Sequence, residues 1–151
     1  LDKLKMEPEK LEICSFMERV MQEVSLSQGD VHFRKPAFKA YVTVDRNRLT
    51  QIVENLINNA GKYAKSNIDV FLTEDEGGVA LHVRDYGSGI PDENMPFIFD
   101  KFYRGSNCGN EQGSGLGLYI VKYITEKMDG KVTLTNHRDG LEAVVVLPMQ
   151  Q

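Results

Sequence analysis

Within residues 45–64, Asn55, Asn59 and Lys62 are spaced so that, at about 100° per residue, they share one narrow arc of a helix. Tyr63 falls at the border between that arc and the apolar stripe. Asparagine is a mediocre helix former, because its side chain competes for backbone hydrogen bonds. Asn55, Asn58 and Asn59 in mid-helix therefore carry a cost that some task should offset. Carboxamide oxygens are hard ligands, suited to a magnesium ion that keeps waters and phosphate oxygens as its other partners. A merely solvated helix face is the competing reading. A second stretch, Asp85-Tyr-Gly-Ser-Gly-Ile90-Pro, follows directly on a strand pattern. Gly87 and Gly89 permit positive φ and close approach of a ligand to the backbone. A carboxylate at the end of a buried strand, facing such a turn, suits an exocyclic amine such as that of adenine. Taken alone, the pattern also describes an ordinary turn.

The third piece, Gly113-Ser114-Gly115-Leu116-Gly117-Leu118, opens an amphipathic helix. Free backbone N–H groups at a helix N-terminus, reinforced by the helix dipole, make an anion site. No Lys-Ser or Lys-Thr closes a GxxxxGK[ST] pattern, so this is not a P-loop. Nor do the glycines follow the first strand of a parallel βαβ unit, as a dinucleotide site requires; they end a long loop. The fourth piece, Phe97-Ile-Phe-Asp-Lys101-Phe102-Tyr103-Arg104-Gly, joins aromatics that can anchor a flap to two cations that can reach a polyphosphate. A hydrophobic staple that only pins the loop accounts for the aromatics equally well.

These residues need elements to hold them. Ser15 to about Ser27 reads as a helix, with a Ser15/Glu18 capping box and apolar Phe16, Met17, Val20, Met21 and Val24. Val31–Lys35 and Tyr41–Val44 read as short extended pieces separated by Pro36. Asp45 caps the strongest helix, which runs to about Ala64 on a stripe of Leu49, Ile52, Val53, Leu56, Ile57 and Ala60. Asn67–Glu74 and Val79–Asp85 read as a hairpin turned at Gly77–Gly78. Residues 86–115 are glycine-rich and aperiodic, a loop long enough to imply a function. The last helix runs from about Leu116 to Met128, with Ile120, Val121, Ile124 and Met128 inward and Gly130 as its stop. A closing hairpin, Lys131–Asn136 and Leu141–Leu147, turns at Asp139–Gly140. Helices over a sheet built largely of hairpins predict an α+β fold, a two-layer α/β sandwich. Its sheet is expected to be mixed, mostly antiparallel, and covered on one face by about three helices. Residues 1–10 are charged and contain Pro8, so they read as a connector or the end of a helix entering from elsewhere, leaving 11–151 as the domain.

A length of 151 residues suits one domain with a sizeable core. Lys plus Arg number 18 against 22 for Asp plus Glu, and a net charge of −4 argues against gripping nucleic acid by its phosphates. No apolar run approaches the roughly 20 residues of a membrane span, and the start LDKLKMEPEK is not a signal peptide. Cys14 and Cys108 have no CxxC partner, and His32, His82 and His137 lack ligand spacing. Neither a disulfide framework nor a structural zinc site is expected, and a reducing, cytoplasmic setting is.

Taken in order, DRNRLTQIVENLINNAGKYA, DYGSGIP, FIFDKFYRG and GSGLGLYIVKYI resemble the N, G1, F and G2 boxes of the catalytic ATP-binding domain of bacterial sensor histidine kinases. The resemblance covers about residues 7 to 148. It implies the Bergerat-type sandwich shared with gyrase, the heat-shock chaperone ATPases and the mismatch-repair ATPases, with a long mobile lid over bound ATP and Mg²⁺. On this resemblance Asn59, with Asn55 beside it, would hold Mg²⁺ against the triphosphate. Lys62 would reach the phosphates, and Tyr63 would pack near the adenine or ribose. Asp85 would bind the adenine amino group, with Gly87 and Gly89 giving the base room and Ile90 beside them among the ATP-binding residues. Lys101, Phe102, Tyr103 and Arg104 would belong to the lid, with Arg104 steadying the γ-phosphate. Gly113, Gly115 and Gly117 would wrap the phosphates and hinge the lid, with Ser114, Leu116 and Leu118 among the ATP-binding residues beside them. Asn55, Lys62 and Arg104 would carry the catalysis.

ATPase members of the superfamily resemble one another in placing a Glu four residues before the magnesium Asn, where it can activate water. That position here is Asn55, and an amide is a poor general base. Glu54 is about 100° away round the helix and reads first as a surface acid, with an assisting role as the alternative. No stretch like His-Glu-x-x-Thr-Pro is present, and His32-Phe-Arg-Lys-Pro36 lacks the acid and sits in an extended segment. The resemblance thus implies a phosphoacceptor histidine on a separate dimerisation domain, the end of whose last helix residues 1–6 resemble, and relay to a response regulator. It further implies a monomeric fragment without direct membrane contact, cut from a homodimeric, membrane-anchored protein. An ATPase of the same superfamily, a serine kinase of the anti-sigma-factor type and a non-catalytic binding module remain alternatives at this point.

Overall fold

Period-two alternation builds the sheet, and helical stripes of period 3.6 cover one side of it. The computed structural model describes residues 5–28, 30–63, 67–101 and 117–150, without the side chains of 25–28 and 62–63. Its strands are β1 Pro8–Glu12, β2 Val31–Arg34, β3 Tyr41–Asp45, β4 Ile68–Asp75, β5 Gly78–Asp85, β6 Lys131–His137 and β7 Gly140–Gln150. Its α-helices are α1 Ile13–Gln28, α2 Arg46–Tyr63 and α3 Gly117–Lys127. The sheet order is β1-β3-β7-β5-β4-β2. β6 runs along the first part of β7, and β3 takes over the same edge at Met149 and Gln150. β2 is parallel to β4, and the other pairs are antiparallel.

The inner face carries Ile68, Val70 and Leu72 of β4, Val79, Leu81 and Val83 of β5, and Ala143, Val145 and Leu147 of β7. Against it pack Leu49, Ile52, Val53, Leu56 and Ile57 of α2 and Val121 and Ile124 of α3, all buried in one core. Burying a large aliphatic side chain contributes roughly 1.5–3 kcal/mol relative to leaving it exposed. The expected α+β two-layer sandwich is what forms, and His32, His82 and His137 stand on β2, β5 and β6.

Several local expectations change. Pro8–Glu12 lies inside the stretch read as a connector, yet it pairs with β3 from Pro8↔Asp45 to Glu12↔Tyr41. It is an edge strand in which only Leu11 is buried, so no alternation marks it. α1 begins before Ser15, and the expected Ser15–Glu18 box gives way to a cap by Glu12. The Glu12 carboxylate accepts the N–H groups of Cys14 (2.9 Å) and Ser15 (3.1 Å) and the Ser15 hydroxyl (2.9 Å), while Glu18 faces Lys35. Asp45 does cap α2, accepting the Arg48 N–H at 3.0 Å, and its second oxygen takes the Glu7 N–H at 2.8 Å. The β4–β5 turn is Glu76–Gly77 rather than Gly77–Gly78. The left-handed residue ending α3 is Asp129 (φ 61), not Gly130, and Leu118 is buried where Ile120 is only half-buried. Within the aperiodic loop, Asp92–Phe97 forms a 3-10 turn.

Candidate functional site

Asp85 is the last residue of β5 and continues the inward-facing set of Val79, Leu81 and Val83. Alternation therefore drives a carboxylate into the space between sheet and helices, where Asp85 is 1% exposed. Its Oδ1 accepts the N–H of Gly87 at 3.1 Å, closing an Asx turn, and the N–H of Leu141 in β7 at 3.1 Å. Burial pushes the Asp85 pKa above the ordinary carboxylate value; these two donors and the nearby Arg84 charge offset only part of that. Arg84 in turn donates to the Asp85 carbonyl and pairs with Asp139. A Cβ on Gly140 (φ +147) would run into the same carbonyl, so the β6–β7 turn comes this close only because residue 140 is glycine.

The chain then passes over Asn136 of β6. Ile90 donates its N–H to Asn136 Oδ1 at 3.1 Å and accepts from Asn136 Nδ2 at 2.6 Å. Gly89 sits at φ +75, and a Cβ there would lie 2.8 Å from Asn136 Oδ1. Gly87, Gly89 and Ile90 are thus held in one turn with Asp85. Ile90 itself is a core residue, as is Leu118.

α2 packs on β5, and its last turn leads through residues 64–67 into Ile68, the register partner of Asp85. The C-terminal half of α2 and the Asp85 turn therefore share one end of one face of the sheet. On α2, Asn55 and Asn59 are half-buried, whereas Glu54 and Asn58 are exposed, as the expected surface role of Glu54 requires. α3 packs beside α2. The stretch after the 3-10 turn is pinned against the first turns of α3: Lys122 Nζ lies 5.5 Å from the Phe99 ring centroid, and Lys101 Nζ 5.8 Å from that of Tyr119. Ile98 is buried and Phe99 packs on the core, while Phe97 is 54% exposed. Among the described residues the anchors are Ile98 and Phe99, and Phe97 is not one of them.

Of the expected site residues, Asn55 and Asn59 lie on α2, Asp85, Gly87, Gly89 and Ile90 at the end of β5 and in the turn after it, Lys101 after the 3-10 turn, and Gly117 and Leu118 at the start of α3. Phe102, Tyr103, Arg104, Gly113, Ser114, Gly115 and Leu116 lie outside the described residues, as do the side chains of Lys62 and Tyr63. Sequence reasoning missed Asn136, Gly140 and Leu141. Asn136 did leave a signal: on β6 the inward positions run Val132, Leu134, Asn136, a polar side chain where alternation calls for an apolar one.

Residues 44–151 match the family described as histidine kinase-, DNA gyrase B-, and HSP90-like ATPase. The chain is similar to the signal transduction histidine-protein kinase/phosphatase MprB of Mycobacterium leprae, 31% identical over 137 residues covering 89% of this chain and 26% of that protein. It is also similar to the sensor protein SrrB of Staphylococcus aureus, 34% identical over 111 residues covering 70% of this chain and 19% of that protein. It therefore spans about a quarter or less of the length of these relatives. Among solved structures, a mycobacterial sensor histidine kinase MprB is similar with a TM-score of 0.82 at 27% identity, over 94% of this chain and 99% of that one. The histidine kinase domain of the E. coli osmosensor EnvZ is similar with a TM-score of 0.77 at 25% identity, over 99% and 93%.

Proposed function

The chain belongs to the family of histidine kinase-, DNA gyrase B- and HSP90-like ATPases, and from that premise we propose how its residues use a nucleotide. It is an ATP-binding catalytic domain of the sensor histidine kinase type. In our reading ATP lies between the Asp85 turn and the polar arc of α2, and its γ-phosphoryl passes to a histidine on a separate dimerisation domain for relay to a response regulator. The observation that carries this is the buried Asp85 carboxylate. Its Oδ1 is tied to two backbone donors, which supports reading it as a fixed acceptor for the purine amine.

Asn55 and Asn59, half-buried carboxamides one helical turn apart, fit a hard cation that retains water and phosphate ligands. Magnesium bound there would supply charge neutralisation at the polyphosphate. Lys62, Lys101 and Arg104 would add positive charge around the same group. Glu54 is the sole acid of α2 and it faces solvent, so the polar arc offers no base to activate water. ATP is thereby kept for an imidazole, whose ring nitrogen brings its own lone pair. The new P–N bond forms as the bridging P–O bond breaks, and ADP leaves with that electron pair.

Among the described residues no helix is long and apolar enough to cross a membrane. Attachment to a membrane, in our reading, belongs to other segments of a longer, homodimeric protein, of which this piece alone is a monomer. Incubation with γ-labelled ATP, with and without a histidine-bearing dimerisation domain, tests the scheme. Acid-labile label is expected on the added domain only, with Asn59→Ala removing the magnesium dependence of ATP affinity. Stable phosphohistidine on this chain alone, or acid-stable label on a serine, overturns it.

A further inference from the structure

We propose that Asn136 is a positioning residue for purine recognition: it holds the Asp85–Ile90 turn at a fixed distance from the Asp85 carboxylate and so sets base selectivity. The proposal rests on the reading of Asp85 as the acceptor of the adenine amine.

Three observations carry it. The Asn136 carboxamide meets both backbone groups of Ile90, as donor at 2.6 Å and acceptor at 3.1 Å, and Nδ2 also reaches Asp92 Oδ1 at 3.3 Å. The turn passes so close above it that a Cβ on Gly89 would stand 2.8 Å from Oδ1. Asn136 is also the register partner of Leu141, whose N–H donates to Asp85 Oδ1. Both ends of the turn are therefore referenced to one rung of the β6–β7 hairpin, Asp85 through Leu141 and Ile90 through Asn136. A turn fixed at only one end would let its glycine backbone drift over the base slot while the carboxylate stayed in place. Fixed at both, it presents one slot width and one carboxylate direction. A carboxylate in that direction accepts the 6-amino group of adenine, whereas the 6-oxo group of guanine would meet it as a second acceptor. Loss of the clamp should therefore erode the preference for adenine, beyond weakening binding.

Calorimetric titration of ATP and of GTP into Asn136→Ala, Asn136→Asp and Asp85→Asn, well below each melting temperature, separates the outcomes. Asn136→Asp keeps the size of the side chain and its acceptor for Ile90, but loses the donor and places a carboxylate against Asp92. Both Asn136 variants are expected to bind ATP about 10-fold more weakly. Their ATP-to-GTP affinity ratio should fall by a similar factor, and amide hydrogen exchange at Ile90 should quicken. A strut with no part in recognition would lower the melting temperature and leave the ratio unchanged, and that result overturns the proposal. If Asp85→Asn binds ATP like the parent, the site reading fails and this proposal falls with it. If Asp85→Asn loses binding while the Asn136 variants keep parental affinity and ratio, the clamp alone is refuted.

Discussion

Glu12 and Asp85 each close a strand, and each turns its carboxylate onto backbone N–H groups, yet the two ends of the molecule treat the charge in opposite ways. At Glu12 both oxygens are engaged, Oε1 by the N–H and hydroxyl of Ser15, Oε2 by the N–H groups of Cys14 and Ala40. Burial by itself would raise the Glu12 pKa, but those donors override it and bring it down to about 2. At Asp85 both backbone donors fall on Oδ1, burial prevails, and the pKa rises. A carboxylate with donors on both oxygens is a clasp between β1, α1 and the segment before β3. A buried carboxylate with its donors on one oxygen carries an electrostatic cost that a ligand's N–H can relieve. Strained electrostatics of that kind mark sites more often than scaffolds.

The comparison breaks most sharply at Asp85→Asn. ATP affinity should fall about 100-fold with or without magnesium, since a charged acceptor is lost and an amide N–H₂ can face the purine amine. Stability should hold or rise. With its folded pKa raised above 3.8, Asp85 makes the native state the better proton binder. The cost is therefore present above that folded pKa and relieved as pH falls through it; asparagine never incurs it. Calorimetry beside a urea melt at neutral pH reads both quantities, and parental affinity would remove Asp85 from the site. Glu12→Gln should do the reverse, leaving ATP binding alone and lowering stability by about 2 kcal/mol at neutral pH, after discount for partial solvent exposure. The sign is opposite because the folded pKa is depressed. The parent's gain is present above about 4.5 and lost as pH falls toward 2. Urea midpoints across that interval should drop in the parent and drop less steeply in Glu12→Gln, where Asp45 and Glu142 still contribute; parallel curves would show that Glu12 is no clasp.

What was legible in the sequence follows from how local each cause is. The α2 stripe could be read because Leu49, Ile52, Val53, Leu56 and Ile57 bury one side of one helix. Asp85 could be read because it ends an alternating strand and precedes two glycines, all within a few residues. β1 could not, since PEKLE buries a single side chain. The Glu12 cap was hidden because helix caps are ordinarily short Ser, Thr, Asp or Asn side chains, and here a longer one reaches forward from the preceding strand. The hold of Leu141 on Asp85 spans 56 residues and that of Asn136 on Ile90 spans 46, so no window of local pattern contains them. Only the register of β6 and β7 brings those groups together.

The smallest expected effect concerns a third chain end, the start of α3. The Glu12 and Asp85 turns use N–H groups on the protein's own carboxylates, whereas the first turn of a helix leaves N–H groups without helical partners. If those serve the phosphates, as the family resemblance implies, bulk at Gly117 should matter only when ATP is present. Among the described residues, a Cβ built on Gly117 meets nothing within 4 Å, and its φ is not in the left-handed range. Gly117→Ala should therefore fold normally and gain about 0.5 kcal/mol of stability by restricting the unfolded chain. ATP affinity should nonetheless fall a few-fold, because a methyl group would crowd the closest approach of a phosphate oxygen, and adenosine affinity should not change. Paired titrations of ATP and adenosine decide it. Equal, parental affinities for both would mean that the phosphates lie away from this helix start, and that the Asp85 end alone defines the site.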